Sequence, residues 1–327
     1  MNSHPVFVCG HPKAGTYLLL SLFDSHPELI VFPEETHFLR HVLGDTDRET
    51  PEYMLTNTPI RNMNLGQVRD HLEGNRDYKH IDFTEYQNRV AEFWCKSDKT
   101  SRALLESVIL SYGEITGKVE EKYWVEKTPQ NEYYLNRAMK LWPKLRALYI
   151  LRDPRDVYCS YRTYLQRADS YYLPLEKIIA SWSKSVHFWE CFAAHNSRGL
   201  LIRYVDLVQH PRRSMQRVCN FLQIDWDDIL LQPTRSGIRW GGNSMSNEEF
   251  AGISTSSLGK YHNGLTTEEI RFIETWLGRV MLRYGWQIDH GRPTPHRMIT
   301  SLIQGNGTLR SKVVMIRNLL RVYSPGF

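Results

Sequence analysis

"HPKAGTYLLL" (residues 11–20) decides the fold. It follows a β-branched and aromatic run, Val6-Phe7-Val8-Cys9, and it leads into leucines with helical spacing. The reading is strand over residues 5–10, a glycine turn, then helix over 15–25. Gly10 and Gly15 permit the tight turn. Backbone N–H groups in such a turn, at a helix N-terminus, make a site for phosphate or sulfate. Lys13 puts a mobile cation inside the turn, and Thr16 offers a hydroxyl and an amide at the helix start. A nucleoside-triphosphate loop of the form GxxxxGK[ST] would carry its lysine at position 16. Here Thr16 stands there and the lysine has moved inside the loop. A plain strand-turn-helix with a solvated lysine is the bland alternative.

The same rhythm continues along the chain. "LIVF" (29–32), "YWVE" (123–126), "LRALYILR" (145–152) and "GLLIRYVDL" (199–207) read as strands. Residues 131–142, 154–167, 175–195 and 211–222 read as helices, and so does a stretch from 266 to about 284, with Thr266 as cap and Glu269 three residues on. Strands alternating with helices predict an α/β fold, P-loop-NTPase-like, with a mainly parallel sheet flanked by helices. Ligands in such folds sit beyond the carboxyl ends of the strands. Residues 40–120 break the rhythm. They are polar with interspersed aromatics and are expected to form a mostly helical insertion near the acceptor side, where Tyr53, Tyr78, Tyr86 and Trp94 could build an apolar pocket. Residues 232–262, rich in Gly, Ser and Asn, should be loop. Residues 1–290 then form one domain and 291–327 a C-terminal helical tail.

With 327 residues, 41% hydrophobic and 24% charged, the composition is that of a globular protein. No apolar run reaches the roughly 18 residues of a membrane helix. The N-terminal stretch lacks a basic n-region, which argues against a signal peptide. Five scattered cysteines (Cys9, Cys95, Cys159, Cys191, Cys219) read as reduced packing residues, so the expected location is cytoplasmic. The formal charge of +5 is uneven: residues 291–327 hold six basic residues and no acid, which leaves −1 for residues 1–290. A near-neutral body argues against a nucleic-acid-binding face.

A second anion motif is "LRDPRDVYCSY" (151–161). Arg152 leaves the end of a strand, Pro154 suits a first helical turn, and Ser160 follows eight residues after Arg152. A guanidinium and a hydroxyl converging on one anion make a phosphate site. The alternative is a structural ion pair of Arg152 with Asp153 or Asp156.

Together the motifs resemble those of sulfotransferases that use 3′-phosphoadenosine 5′-phosphosulfate (PAPS). "HPKAGTYLLLSLFDSHPEL" is similar to their 5′-phosphosulfate loop, and "LRDPRDVYCSY" to their 3′-phosphate motif. "RWGGNSMS" with "STSSLGKYHNGLTTEEI" resembles the late loop and helix of the bacterial and Golgi-type branch. The resemblance covers residues 5–35, 122–165 and 199–286. It implies donor binding by Lys13, Ala14, Gly15, Thr16, Tyr17, Arg152 and Ser160, with Ser257 and Lys260 closing over the phosphates, release of adenosine 3′,5′-bisphosphate (PAP), and no metal. Ala14 and Tyr17 stand where the family has Ser and Thr. In "PEETHFL" (33–39) the resemblance selects Glu35 as catalytic base, with His37 a weaker candidate. In "VEKTPQNEYYL" (125–135) it suggests that Lys127 stabilises charge on the transferring group.

The acceptor is then a hydroxyl. Glu35-Thr36-His37-Phe38 and Lys127-Thr128-Pro129 lean toward a glycan or glycolipid, Glu34-Glu35-Thr36 toward a peptide tyrosine, and a small phenol or alcohol stays open. A P-loop kinase or NTPase is the rival reading, opposed by the missing lysine after Gly15; a non-catalytic nucleotide-binding or membrane-associated protein is a third. In the tail, Leu309, Val313, Ile316 and Leu320 make a helical stripe flanked by Arg310, Lys312, Arg317 and Arg321. A terminal helix docked on the body, a homodimer contact and peripheral attachment to an anionic membrane are the three readings of the tail.

Overall fold

A computed structural model of the chain describes residues 3–44, 81–119, 121–167, 174–242, 249–290, 298–299, 302–303 and 307–323. Five strands, β1 (His4–Cys9), β2 (Leu29–Val31), β3 (Tyr123–Lys127), β4 (Arg146–Leu151) and β5 (Gly199–Arg203), form one sheet in the order β2-β3-β1-β4-β5. Every pairing in it is parallel. The expected α/β fold is therefore borne out.

Alternation along each strand explains why both sheet faces are covered. Phe7 and Cys9 of β1, with Ala147, Tyr149 and Leu151 of β4, face one apolar core. Val6 and Val8, with Leu148 and Ile150, face the other. Helices α1 (Thr16–Phe23) and α2 (Phe38–Leu43) follow β1 and β2. Of the 40–120 region, residues 81–119 carry α3 (Phe83–Lys96) and α4 (Ser101–Ile115), while Tyr53 and Tyr78 lie outside the described residues. Tyr86 is a core residue whose hydroxyl donates to the Val108 carbonyl, and Trp94 is packed against that core. Neither lines the main cavity, which corrects the expected aromatic pocket.

After β3 come a short 3₁₀ turn (Asn131–Tyr133) and α5 (Leu135–Leu141); α6 (Pro154–Arg167) and α7 (Leu175–Ala193) follow β4. The chain turns helical directly after β5, in α8 (Tyr204–Gln209), and then forms α9 (Pro211–Leu222), so "YVDL" is helix where strand was expected. The stretch expected to be loop contains a small hairpin, β6 (Thr234–Arg235) and β7 (Ile238–Arg239), and α10 (Tyr261–Gly264). Helix α11 (Thr267–Arg283) begins at the expected capping box: Glu269 N–H donates to Thr266 Oγ1 and Thr266 N–H to Glu269 Oε2. Helix α12 (Leu309–Tyr323) lies along α7.

Candidate active site

Register brings three loops to one sheet edge. Val8 of β1 pairs with Lys127 of β3, and Cys9 pairs with Tyr149 of β4. Gly10, Thr128 and Arg152 therefore leave neighbouring strands side by side. The turn after β1 requires its glycines. Gly10 has φ 146° and a Cβ there would lie 2.6 Å from the Ile150 carbonyl oxygen; Gly15 has φ 103° and a Cβ would lie 2.5 Å from the Tyr204 ring. Lys13 also sits at positive φ, 69°. The Ala14 N–H donates to the His11 carbonyl at 3.0 Å, and its side chain is buried. Ala14 helps to close the turn and is not among the residues that line the cavity. Thr16 and Tyr17 open α1, where first-turn amides have no intrahelical acceptor.

Arg152 is buried in the adjoining wall, against the Lys13 turn. Its Nη1 donates to the Lys13 carbonyl at 3.0 Å and its Nη2 to the Ser257 carbonyl at 2.6 Å, while Nε has no hydrogen-bond partner. Tyr204 lies under the guanidinium at 4.6 Å. Both acids that could have neutralised it are engaged elsewhere. Asp153 pairs with Arg155 at 2.7 Å, and Asp156 accepts from Gly259 N–H at 3.0 Å and Tyr261 N–H at 3.2 Å. Among the described residues no carboxylate lies in ion-pair range of Arg152. Asp156 feels the Arg152 charge without bonding to it, and a buried guanidinium held only by carbonyls gains from an anion that joins it.

Glu35 faces the cavity between these walls, and its neighbour Glu34 does not: Arg235 of β6 holds Glu34 at 2.6 Å. Lys127 pairs with Glu35 at 2.5 Å and lies 2.9 Å from the centre of the Tyr17 ring. His37 Nε2 is 3.5 Å from the other Glu35 oxygen. Burial opposes ionisation of Glu35, yet the Lys127 ammonium and a hydrogen bond from Tyr17 hold its carboxyl below the usual range. Burial drives Lys127 down to about 8 despite Glu35. Lys127 is fully buried behind Glu35 and Tyr17 and does not line the cavity. Its contacts are with Glu35 and the Tyr17 ring.

Two buried acids missing from the sequence reading set this geometry. Glu126 accepts from Thr36 Oγ1 (2.8 Å), Thr128 Oγ1 (2.6 Å) and Asn131 Nδ2 (2.6 Å), tying the Glu35 loop to the β3 end. Glu132 accepts from Gly10 N–H at 3.0 Å and from Ser185 Oγ at 2.5 Å, tying the glycine turn to α7. Burial pushes Glu132 up to about 7. The folded chain thus holds a proton that the unfolded chain releases above pH ~4.5, so stability falls as pH rises through that window and levels beyond about 7. Glu132→Gln is expected to remove this dependence. Thermal melts between pH ~5 and ~8 should show the variant gaining on the parent by on the order of 2–3 kcal/mol; parallel curves would refute it.

Lys13, Gly15, Thr16, Tyr17, Glu35, His37, Arg152, Ser160, Ser257 and Lys260 all line one cavity of about 600 Å³. Comparison with known proteins supplies its context. A family model described as "Sulfotransferase family" matches residues 5–228. The chain belongs to the sulfotransferase family. It is 26% identical over 250 residues to protein-tyrosine sulfotransferase 2 of Gallus gallus, a match covering 75% of this chain and 57% of that protein's length. Among solved structures it is similar to the sulfotransferase domain from the curacin biosynthetic pathway (TM-score 0.54, 21% identity, 88% of this chain and 99% of that one). It is also similar to the sulfotransferase domain of the Synechococcus PCC 7002 olefin synthase (TM-score 0.55, 18% identity, 88% and 97%).

The sulfotransferase fold accounts for the strand-edge cavity, and the residues present fit a nucleotide with phosphate at both ends. Arg152 Nε is a buried donor with no partner, and Lys13, Gly15 and Thr16, at a helix start whose first amides have no intrahelical acceptor, line the same cavity, a donor set that suits such phosphates. Asp156, weighed in the sequence only as an ion-pair partner of Arg152, latches the 259–261 backbone beside it, and Arg235, which draws Glu34 aside, was not singled out from the sequence. Among the described residues no helix is long and apolar enough to cross a membrane.

Proposed function

We propose that this chain transfers a sulfuryl group from PAPS to an acceptor hydroxyl, with a tyrosine phenol as the favoured acceptor. The reading rests on one observation: the Lys13 loop, the buried Arg152 and the Lys127-paired Glu35 share a single cavity. PAPS, when bound, supplies the sulfuryl group and leaves as PAP. Arg152 and Ser160 hold the 3′-phosphate. Lys13 and the helix-start amides of Thr16 and Tyr17 neutralise charge on the 5′-phosphosulfate, as positioned cations and dipoles do in phosphoryl transfer. Ser257 and Lys260 close the far wall. Glu35 takes the acceptor proton. Lys127 keeps Glu35 ionised and His37 orients it.

Of the residues behind the lean toward a carbohydrate, Thr36, Phe38 and Lys127 are buried away from the cavity, while Glu35, His37, Thr128 and Pro129 line it. Rings of Tyr17, Tyr133, Tyr134, Trp240 and Phe250 line the cavity and suit a planar phenol. Likeness to a protein-tyrosine sulfotransferase over 75% of this chain points the same way. All five cysteines are free, in keeping with a reducing compartment, so a cytoplasmic site of action is part of the proposal.

Radiosulfate-labelled PAPS should label a tyrosine peptide and not its phenylalanine counterpart. Label entering only an oligosaccharide would overturn the acceptor. Failure to label any acceptor, together with thermal stabilisation by ATP and none by PAP, would overturn the donor.

A further inference from the structure

The C-terminal helix presents two apolar faces and uses one. Met315 and Leu319 are buried, with Ser311 and Asn318 beside them, and Asn318 Nδ2 donates to the Ala180 carbonyl of α7 at 2.9 Å. Of the stripe legible in the sequence, Ile316 is half-buried against the core and the other three residues point outward. Leu309 is 80% exposed, Val313 56% and Leu320 61%. At about 100° per residue the stripe is centred roughly 150° from the buried face. The terminal helix thus docks on the body, as the first reading of the tail has it, and it does so mainly by Met315, Asn318 and Leu319.

The exposure is concentrated. Eight large apolar side chains are exposed among the described residues, and five of them (Ile299, Ile303, Leu309, Val313, Leu320) fall in this segment. Lys312 Nζ donates to the Leu302 carbonyl at 2.7 Å, which sets Ile303 close to α12. On the helix wheel Arg310 and Arg317 border the stripe on one side and Lys312 on the other. No acid occurs anywhere in residues 291–327.

We propose that this face of α12 docks the protein on an anionic lipid surface. The stripe enters the headgroup–acyl boundary, and the flanking arginines and lysine meet lipid phosphates. A second copy is the poorer occupant. A two-fold contact would place the same cationic, acid-free segment against itself. Lipid docking also leaves the α7 contact intact, because the two faces are separate.

The test is flotation of the full chain with phosphatidylcholine vesicles and with phosphatidylcholine–phosphatidylglycerol vesicles. The chain should float with the mixed vesicles only and be released by salt. Leu309→Ser/Leu320→Ser and Arg310→Glu/Arg317→Glu should each lower partitioning about tenfold or more. Melting temperature should not move, since all four side chains are exposed. Absence of flotation with anionic vesicles, or flotation that neither double variant weakens, would overturn the proposal. So would a salt-resistant dimer in sedimentation that Leu309→Ser/Leu320→Ser dissociates.

Discussion

Glu35→Gln is expected to lower kcat by about 10²- to 10⁴-fold, the range lost with a positioned general base, while PAP still binds. Three contacts single out this carboxylate. Arg235 removes Glu34, Lys127 and Tyr17 keep Glu35 ionised, and the side chain opens on the donor cavity. The substitution leaves Lys127 buried beside a neutral amide, so a melt with and without PAP must accompany the kinetics. Lys127→Met supplies an independent reading. Burial would then act on Glu35 without the opposing ammonium, its carboxyl would rise, and the acid limb of kcat/KM would move to higher pH. Parent-like kcat in Glu35→Gln would remove Glu35 as base. An unmoved acid limb in Lys127→Met would remove Lys127 as the group that sets its charge.

Arg152→Ala is expected to weaken PAP roughly 10- to 150-fold, the value of one or two hydrogen bonds to a charged group, and AMP far less. The difference matters because Arg152 also braces the loops through the Lys13 and Ser257 carbonyls. Loss of the brace alone would weaken both nucleotides equally. Arg152→Lys keeps charge but not the fork, and should fall between parent and Ala. Calorimetric titration of PAP and AMP into each variant decides the matter; equal losses would make Arg152 a brace and not a reader of the 3′-phosphate.

Local chemistry was legible in the sequence where a motif carries its own geometry. The glycine turn, the Arg152-to-Ser160 spacing and the Thr266–Glu269 cap stand where their residues imply. What escaped depends on partners far along the chain. Glu126 reads as an ordinary strand acid until Thr36, ninety positions away, bonds to it, and Glu132 until Gly10 and Ser185 do. Lys127 stands at the expected strand end, but sequence position does not say that Glu35 and Tyr17 will cover it. The docking face of the tail escaped for a related reason. Periodicity reveals an apolar stripe, of which only Ile316 packs on the core, while a mixed face built on Met315 and Asn318 is the buried one.

Helix α7 serves two tenants. Toward the sheet edge its Ser181 bonds His11, its Trp182 the Arg152 carbonyl and its Ser185 Glu132; from its other flank the Ala180 carbonyl takes Asn318. A single residue inserted within this span would turn everything after it by about 100°. The glycine turn and the C-terminal helix would lose their seats at the same stroke, so neither can be retuned through α7 without disturbing the other.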